Sequence, residues 1–301
     1  MFIEKDDIDW AVWQEETDNQ RKVKEKSLFE STLNSYFSGN LYSKGCDLPW
    51  SGATHISLRP SEVSLWAGVN GHGKSLLLGQ VVLGLIQQEQ KCLIASFEMR
   101  PEITLARMTR QATGMKQPTA SFVKDFMEWK KDQLYLYDHH GMVDTMQMLA
   151  VCRYAAKELG IQHLVIDSLM KCVRGEDDFN GQKDFVNALC SIARDTGMHI
   201  HLVHHMRKTN NEKEIGGKFD LKGSGAITDQ ADNVFIVWKN KEKNQAQMAG
   251  EMVDNTIPDA MLICEKQRNG EWEGRVSLWF DYKSQQYVEV AHGLPIRYLI
   301  G

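Results

Sequence analysis

Residues 68–75 read Gly68-Val69-Asn70-Gly71-His72-Gly73-Lys74-Ser75, and the way this octapeptide is flanked decides the fold. It fits G-x-x-x-x-G-K-[ST], the phosphate-binding loop that joins a strand to a helix. The apolar run over 63–67 predicts the strand that feeds it, and a helical pattern leaves it near Lys74. Gly68, Gly71 and Gly73, with Asn70 and His72 between them, let backbone N–H groups turn inward toward phosphate oxygens. The helix N-terminus adds a favourable dipole. In this pattern Lys74 reaches the β- and γ-phosphates and the Ser75 hydroxyl ligates Mg²⁺.

Outward from the loop, short apolar segments alternate with longer helical ones. Strands are expected over 62–68, 92–97, 134–138, 163–167, 199–205, 233–239, 260–265 and 275–281. Helices are expected between the earlier ones, for example over 74–87, 102–113 and 185–196. Such alternation argues an α/β fold: a mainly parallel central sheet with helices on both faces. The last strands follow one another with few helices, which predicts an antiparallel C-terminal end. Residues 1–45 differ. Trp10, Val12 and Trp13 sit among acids, a charged run spans 18–26, and Leu28, Phe29, Leu33, Tyr36 and Phe37 recur near helical spacing. The expected division is therefore an N-terminal extension with a helix, 1–45, and one large domain, 46–301.

Two carboxylates end apolar strands. Asp167 closes His163-Leu164-Val165-Ile166, at the strand end where open α/β sheets bind ligands, and would hold Mg²⁺ there. Glu98 follows Cys92-Leu93-Ile94-Ala95-Ser96-Phe97 and is read either as a base that activates water or as a surface glutamate. His199, His201, His204 and His205 crowd one strand and its end. No carboxylate or cysteine is spaced to complete a tetrahedral set with them, so His205 is read as a phosphate sensor and the others as packing or surface. Residues 207–225 are polar and glycine-rich. Arg207, Lys208, Lys218, Lys222 and Gly223 could track a phosphodiester backbone, or the segment is a solvated loop. Lys266 and Arg268 end a strand two residues apart and so project to one side. They suit a triphosphate held by a neighbouring subunit, or an ordinary basic hairpin with Asn269-Gly270 as its turn.

Composition bounds the remaining possibilities. The 301 residues are 42% hydrophobic and 25% charged, an ordinary globular balance that excludes a disordered or collagen-like chain. No apolar run approaches the roughly 18 residues of a membrane span. Thirty-five basic against forty acidic residues give −5, so any nucleic-acid contact rests on a local positive lining. The six cysteines are scattered without a C-x-x-C, which argues against a zinc ribbon and a disulfide framework. The first residues lack the pattern of a secretory or mitochondrial leader, and a reducing cytoplasm is the expectation.

Gly68–Ser75, Ser96–Met99, Val165-Ile166-Asp167, His205 with Arg207-Lys208, Gly223-Ser224-Gly225 with Ala231-Asp232-Asn233, and Lys266-x-Arg268 occur in one order. That order resembles the RecA-type motor domain of replicative hexameric helicases, nearest the Twinkle and phage primase-helicase branch and next DnaB. The likeness spans roughly 45–285. It implies a homo-oligomeric ring, usually of six, with ATP and Mg²⁺ between subunits and single-stranded DNA through the centre, moving 5′ to 3′ on forked DNA. It implies that Lys74 and Ser75 bind phosphate and Mg²⁺, Asp167 supports the metal, and Glu98 is the base. His205 would take the γ-phosphate sensor place, and Arg268, helped by Lys266, would reach the neighbour's site. Segments near 175–183 and 209–222 would face the channel, and the helix near 24–37 would dock on the next subunit. Two departures stand out: these 301 residues hold no C-x-x-C of the kind a zinc-binding primase module carries, and Glu176-Asp177-Asp178 is acidic where DNA would pass. A separate primase or polymerase is an expected partner, in a bacterial or phage-infected cell. The rival readings are a recombination or mediator ATPase on the same core, and a nucleotide-gated DNA-binding scaffold without unwinding.

Overall fold

The computed structural model describes residues 2–3, 26–37, 45–175, 177–206, 217 and 225–298. Strands β1 (Phe2–Ile3), β2 (Cys46–Asp47), β3 (Ser57–Leu58), β4 (Val63–Gly68), β5 (Cys92–Ser96), β6 (Leu134–Tyr137) and β7 (His163–Asp167) precede β8 (His199–His205) and β9 (Asn233–Lys239). Three more, β10 (Ala260–Gln267), β11 (Gly274–Asp281) and β12 (Gln286–Val288), close the chain. Ten of them form one sheet in the order β1-β6-β5-β7-β8-β4-β9-β10-β11-β12. The pairs from β1 to β9 are parallel. From β9 onward every pair is antiparallel.

The helices are α1 (Glu30–Phe37), α2 (Lys74–Gln87), α3 (Pro101–Thr113), α4 (Ala120–Glu128), α5 (Thr145–Lys157), α6 (Phe179–Thr196), α7 (Ala226–Gln230) and α8 (Lys241–Met248). Local chemistry sets several ends. Pro101 opens α3 at a position that needs no N–H donor, and Gly114, at φ 69°, closes it through a bond to the Arg110 carbonyl. The Asp144 carboxylate accepts the first N–H groups of α5. Asp178 does the same for α6. The Asp178 cap explains a correction: α6 begins at Phe179, not near 185, so the segment near 175–183 is helical beyond Asp178.

Both faces of the sheet are covered. Leu65, Ala67, Leu93, Leu164, Ile166 and Leu202 turn toward α5 and α6, where Leu149, Phe185 and Leu189 meet them. Their neighbours Trp66, Ile94, Val165, Val203 and Phe235 turn the other way, onto Leu77, Val81 and Met108 of α2 and α3. Period-2 alternation with two buried faces yields near-continuous apolar strands. The far edge is fastened to α2. The buried Gln80 side chain donates to the Tyr287 carbonyl (2.9 Å) and accepts from its N–H (2.8 Å), as a neighbouring strand would. The short strands β2, β3 and β12 lack a sequence signal because two or three residues cannot show a period. Among the described residues no helix is long and apolar enough to cross a membrane. The cluster Trp10–Trp13 and the charged run up to residue 25 lie outside the described residues.

Candidate active site: a phosphate loop with a cleft beside it

The P-loop leaves β4 at its C-terminal end and enters α2 at Lys74. Gly71 and Gly73 hold φ of 82° and 84°, which side chains with a Cβ rarely adopt. Gly68 is needed for space: a Cβ there would lie 2.5 Å from the Val237 carbonyl oxygen of β9. His72 is buried and its N–H donates to the Val69 carbonyl (3.1 Å), closing the turn. Asn70 lines the cleft.

Lys74 Nζ donates to the carbonyls of Gly68 (2.9 Å) and Val69 (3.3 Å), spanning the loop from within. Burial pushes its ammonium down to about 8, against the pull of Asp167 and Glu98. The Ser75 hydroxyl donates to Asp167 Oδ2 at 2.5 Å, so these two residues meet as the sequence pattern requires. Burial raises the Asp167 carboxyl, and the Ser75 hydrogen bond opposes that. A hydroxyl and one carboxylate, both hard oxygen donors beside a phosphate cradle, fit Mg²⁺, which takes few protein ligands and fills its shell with water and phosphate.

Glu98 stands just beyond β5, two strands from the P-loop strand's neighbour β8. Its Oε1 lies 3.6 Å from His205 Nε2. The bond to His205 holds the Glu98 carboxyl below its ordinary range, so it is ionised and able to take a proton from water. Among the described residues, His205 Nδ1 is buried without a hydrogen-bond partner. The structure thus brings Lys74, Ser75, Glu98, Asp167 and His205 around one cleft of about 540 Å³.

That cleft also holds residues the sequence reading missed. Arg107 of α3, Lys239, Asp259, Phe280, Gln285 and Tyr287 line it. Arg107 contacts the Met99 sulfur and has no carboxylate partner among the described residues, which leaves its charge available to an anion. Phe280 and Tyr287 add aromatic surface beyond the phosphate cradle, with ring centroids 5.2 Å apart. Their signal was invisible along the chain, because antiparallel strands some 200 residues downstream fold back to the P-loop.

Lys266 and Arg268 stand elsewhere. Lys266 pairs with Val234 at the start of β9, whereas Ala67, beside the P-loop, pairs with Ile236. The two cations therefore sit toward the opposite end of the strands from the P-loop: through Val234, Lys266 is level with Leu65, two residues or about 7 Å before Ala67, and Arg268 lies two residues further along. Ordinary hairpin geometry is not followed either: the connection from β10 to β11 runs over 268–273 and is longer than the two-residue Asn269-Gly270 turn. His163, His199 and His201 are buried and packed ring against ring. His204 is buried as well. Arg207, Lys208, Lys218, Lys222 and Gly223 lie outside the described residues.

A protein-family model described as an AAA domain matches residues 54–211. The DNA helicase/primase of Enterobacteria phage T3 is 24% identical over 209 residues, which cover 62% of this chain and 37% of that protein. The chain thus corresponds to little more than a third of that relative's length. Two solved structures share the fold with TM-scores of 0.73 at 15% identity over 89% of this chain. One is an isolated ATPase domain, matched over its whole length. The other is a DnaB-like replicative helicase studied with its interactions with primase, matched over 69%. At that identity the likeness establishes the fold: a mainly parallel sheet flanked by helices, as in the DnaB-like ATPase domains.

Proposed function

The chain belongs to the AAA domain family, and from that premise we propose that it is an ATP-hydrolysing motor of a replicative DNA helicase, working as a ring on single-stranded DNA. The observation that carries this reading is the division of the site. One cleft gathers Lys74, Ser75, Glu98, Asp167, His205 and Arg107, while Lys266 and Arg268 lie toward the other end of the strands, bonded to the carbonyls of residues 228–231. A cation there cannot serve its own chain's triphosphate, but it can serve the next subunit's if the subunits follow head to tail. Such heterologous contacts form a ring when the rotation between subunits closes and an open filament when it does not.

Lys74 and the loop N–H groups hold the phosphates, and Arg107 adds charge in cis. Ser75 and Asp167 would hold Mg²⁺, which would supply charge stabilisation to the phosphate oxygens. Glu98 orients and deprotonates the attacking water, and His205 senses the γ-phosphate that Glu98 faces. Arg268, with Lys266, completes the neighbour's site. A finger of this kind is worth about 10³–10⁵ in rate. Residues 46–301 form the motor and 1–45 an extension. Leu33 and Phe37 of α1 are 50% and 80% exposed. An apolar groove of about 300 Å³ between Leu105, Phe126, Met127, Trp129 and Leu136 suits that helix from a neighbouring copy. DNA contacts are assigned to Arg207, Lys208, Lys218, Lys222 and Gly223, with a hexamer, 5′-to-3′ travel and a separate primase or polymerase as the family resemblance implies. A bacterial or phage-infected cell is the setting, as for the T3 relative.

The test is ATP hydrolysis with and without single-stranded DNA, and strand separation on a fork with a 5′ tail. DNA-stimulated hydrolysis with separation supports the motor. Hydrolysis without separation points to the mediator ATPase. Slow hydrolysis indifferent to DNA points to a scaffold. Lys74→Ala should abolish turnover, and normal turnover in that variant would refute the P-loop assignment. Arg268→Ala should bind nucleotide without hydrolysing it, and mixing it with Lys74→Ala should restore activity because each supplies what the other lacks.

A further inference from the structure

Lys266 and Arg268 are not idle in the single chain. Lys266 Nζ donates to three carbonyls at the end of α7: Thr228 (2.9 Å), Asp229 (3.0 Å) and Ala231 (2.7 Å). Arg268 Nη2 donates to Asp229 (2.7 Å) and Gln230 (3.3 Å). Its Nε faces the buried Asp232 carboxylate at 3.5 Å, and its backbone N–H donates to the Asp232 carbonyl (2.8 Å). Thr228, Asp229 and Gln230 of α7, with the cap residue Ala231, thus give their orphan carbonyls to two cations from the end of β10. This is a strong C-cap, since the carbonyl end of a helix carries the negative pole. An ammonium has three protons, and the three carbonyls around Lys266 Nζ match that number.

We propose that Lys266 is a positioning residue: it fixes α7 in the absence of a neighbour's nucleotide, and it gives α7 up when the pair turns to a triphosphate in the adjoining subunit. This rests on the ATPase reading above and adds to it a physical link from one subunit's nucleotide to α7 of the next. The exchange is favourable in direction. Phosphate oxygens are charged and accept roughly twice as strongly as the neutral carbonyls they replace. Arg268 is better placed to leave first, because its side chain is 41% exposed and its Nη1 is not engaged by α7. Lys266, held by three carbonyls, follows only if α7 yields. Gly225 directly precedes α7 as its N-cap residue. A displacement of α7 therefore reaches Gly225, the residue that follows the proposed DNA-contacting residues in the sequence.

The experiment is amide hydrogen exchange on the full chain, read at 226–232, with strands β5 and β7 as the internal reference. The probes are Mg²⁺ with a non-hydrolysable ATP analogue, and a fluorescent ATP analogue reports binding in parallel. In the wild type the analogue should speed exchange in α7 at least fivefold while the reference strands stay unchanged. Arg268→Ala should bind the fluorescent analogue yet show no such acceleration. Lys266→Met should exchange fast in α7 without nucleotide, and Lys266→Arg should restore slow exchange. Saturable binding with α7 unmoved in the wild type would overturn the proposal. So would a slow α7 in Lys266→Met with its reference strands intact. Failure to bind any nucleotide would instead overturn the ATPase reading, and this inference with it.

Discussion

Lys74 is the residue on which the site's charge balance turns. Two loop carbonyls hold its ammonium, and burial pushes it down to about 8. A bound triphosphate would favour the charged form strongly, so in the complex the lysine keeps its proton to higher pH. Below pH 8 both states carry the proton, and affinity does not change with pH on this account. Above pH 8 the empty site loses the proton and must recover it to bind. Nucleotide affinity should therefore weaken by up to about tenfold per pH unit above 8. Binding of a fluorescent ATP analogue from pH 7 to 9.5 measures this. Lys74→Arg, whose guanidinium does not titrate in that range, should bind more weakly but without the slope. A wild-type affinity flat to pH 9.5 would mean that the lysine is not the buried group the geometry describes.

At the scale of elements, the P-loop depends on a strand that no local pattern ties to it. Gly73 holds φ at 84°, and a Cβ built there would overlap the Tyr287 hydroxyl of β12. Gly73→Ala thus meets two separate obstacles. One is the left-handed backbone, about 1–2 kcal/mol for a residue with a Cβ. The other is the tyrosine. Tyr287→Phe removes only the second, since the ring carbon Cζ stands at 3.6 Å, an ordinary contact. Gly73→Ala should lose nucleotide affinity by tenfold or more, and the double variant should regain part of it. Equal loss in single and double variants would show that Tyr287 does not bear on the loop. The glycine and the loop were legible in the sequence because G-K-S after an apolar run is a local pattern. The tyrosine was not, because its relation to Gly73 is made by Gln80 and the sheet edge across some 200 residues. The same holds for Asp259 and Phe280, while Arg107, one helix beyond the P-loop helix, carries no local pattern that marks it. Asp167 and Glu98 lie between these cases: a carboxylate after an apolar strand is visible, but the bonds to Ser75 and His205 that give each its role appear only in three dimensions.

For the whole molecule, the parallel core and the antiparallel end could be read from the alternation of elements, whereas the interior polar network could not. Four histidines on one strand invite a metal reading, yet two of them, His199 and His201, find their partners in His163 of β7 and in neighbouring groups of the core. The His199 ring nitrogens meet the Arg59 carbonyl (2.5 Å) and the Ser64 hydroxyl (2.8 Å). His201 Nδ1 accepts from the Trp66 indole (3.2 Å), which leaves its Nε2 to donate to His163 Nδ1 (3.1 Å). This bonding assigns each ring to its neutral form, and a further proton on His201 would set donor against donor. Burial accordingly pushes His199 down to about 4 and holds His163 and His201 well below their ordinary range. The unfolded chain takes up these protons below about pH 6.5 and the folded chain does not. Stability from the cluster is therefore complete above that value and is lost as the pH falls toward 4. His199 alone would contribute up to about 3 kcal/mol across that window. Urea unfolding midpoints at pH 7.5, 6 and 5 should fall steadily in the wild type. His199→Gln, which can still donate to Arg59 and accept from Ser64, should start lower and decline less steeply. If the wild-type midpoint holds constant to pH 5, the imidazoles are not sealed in the core, and the polar seam between β4, β7 and β8 does not pack as described.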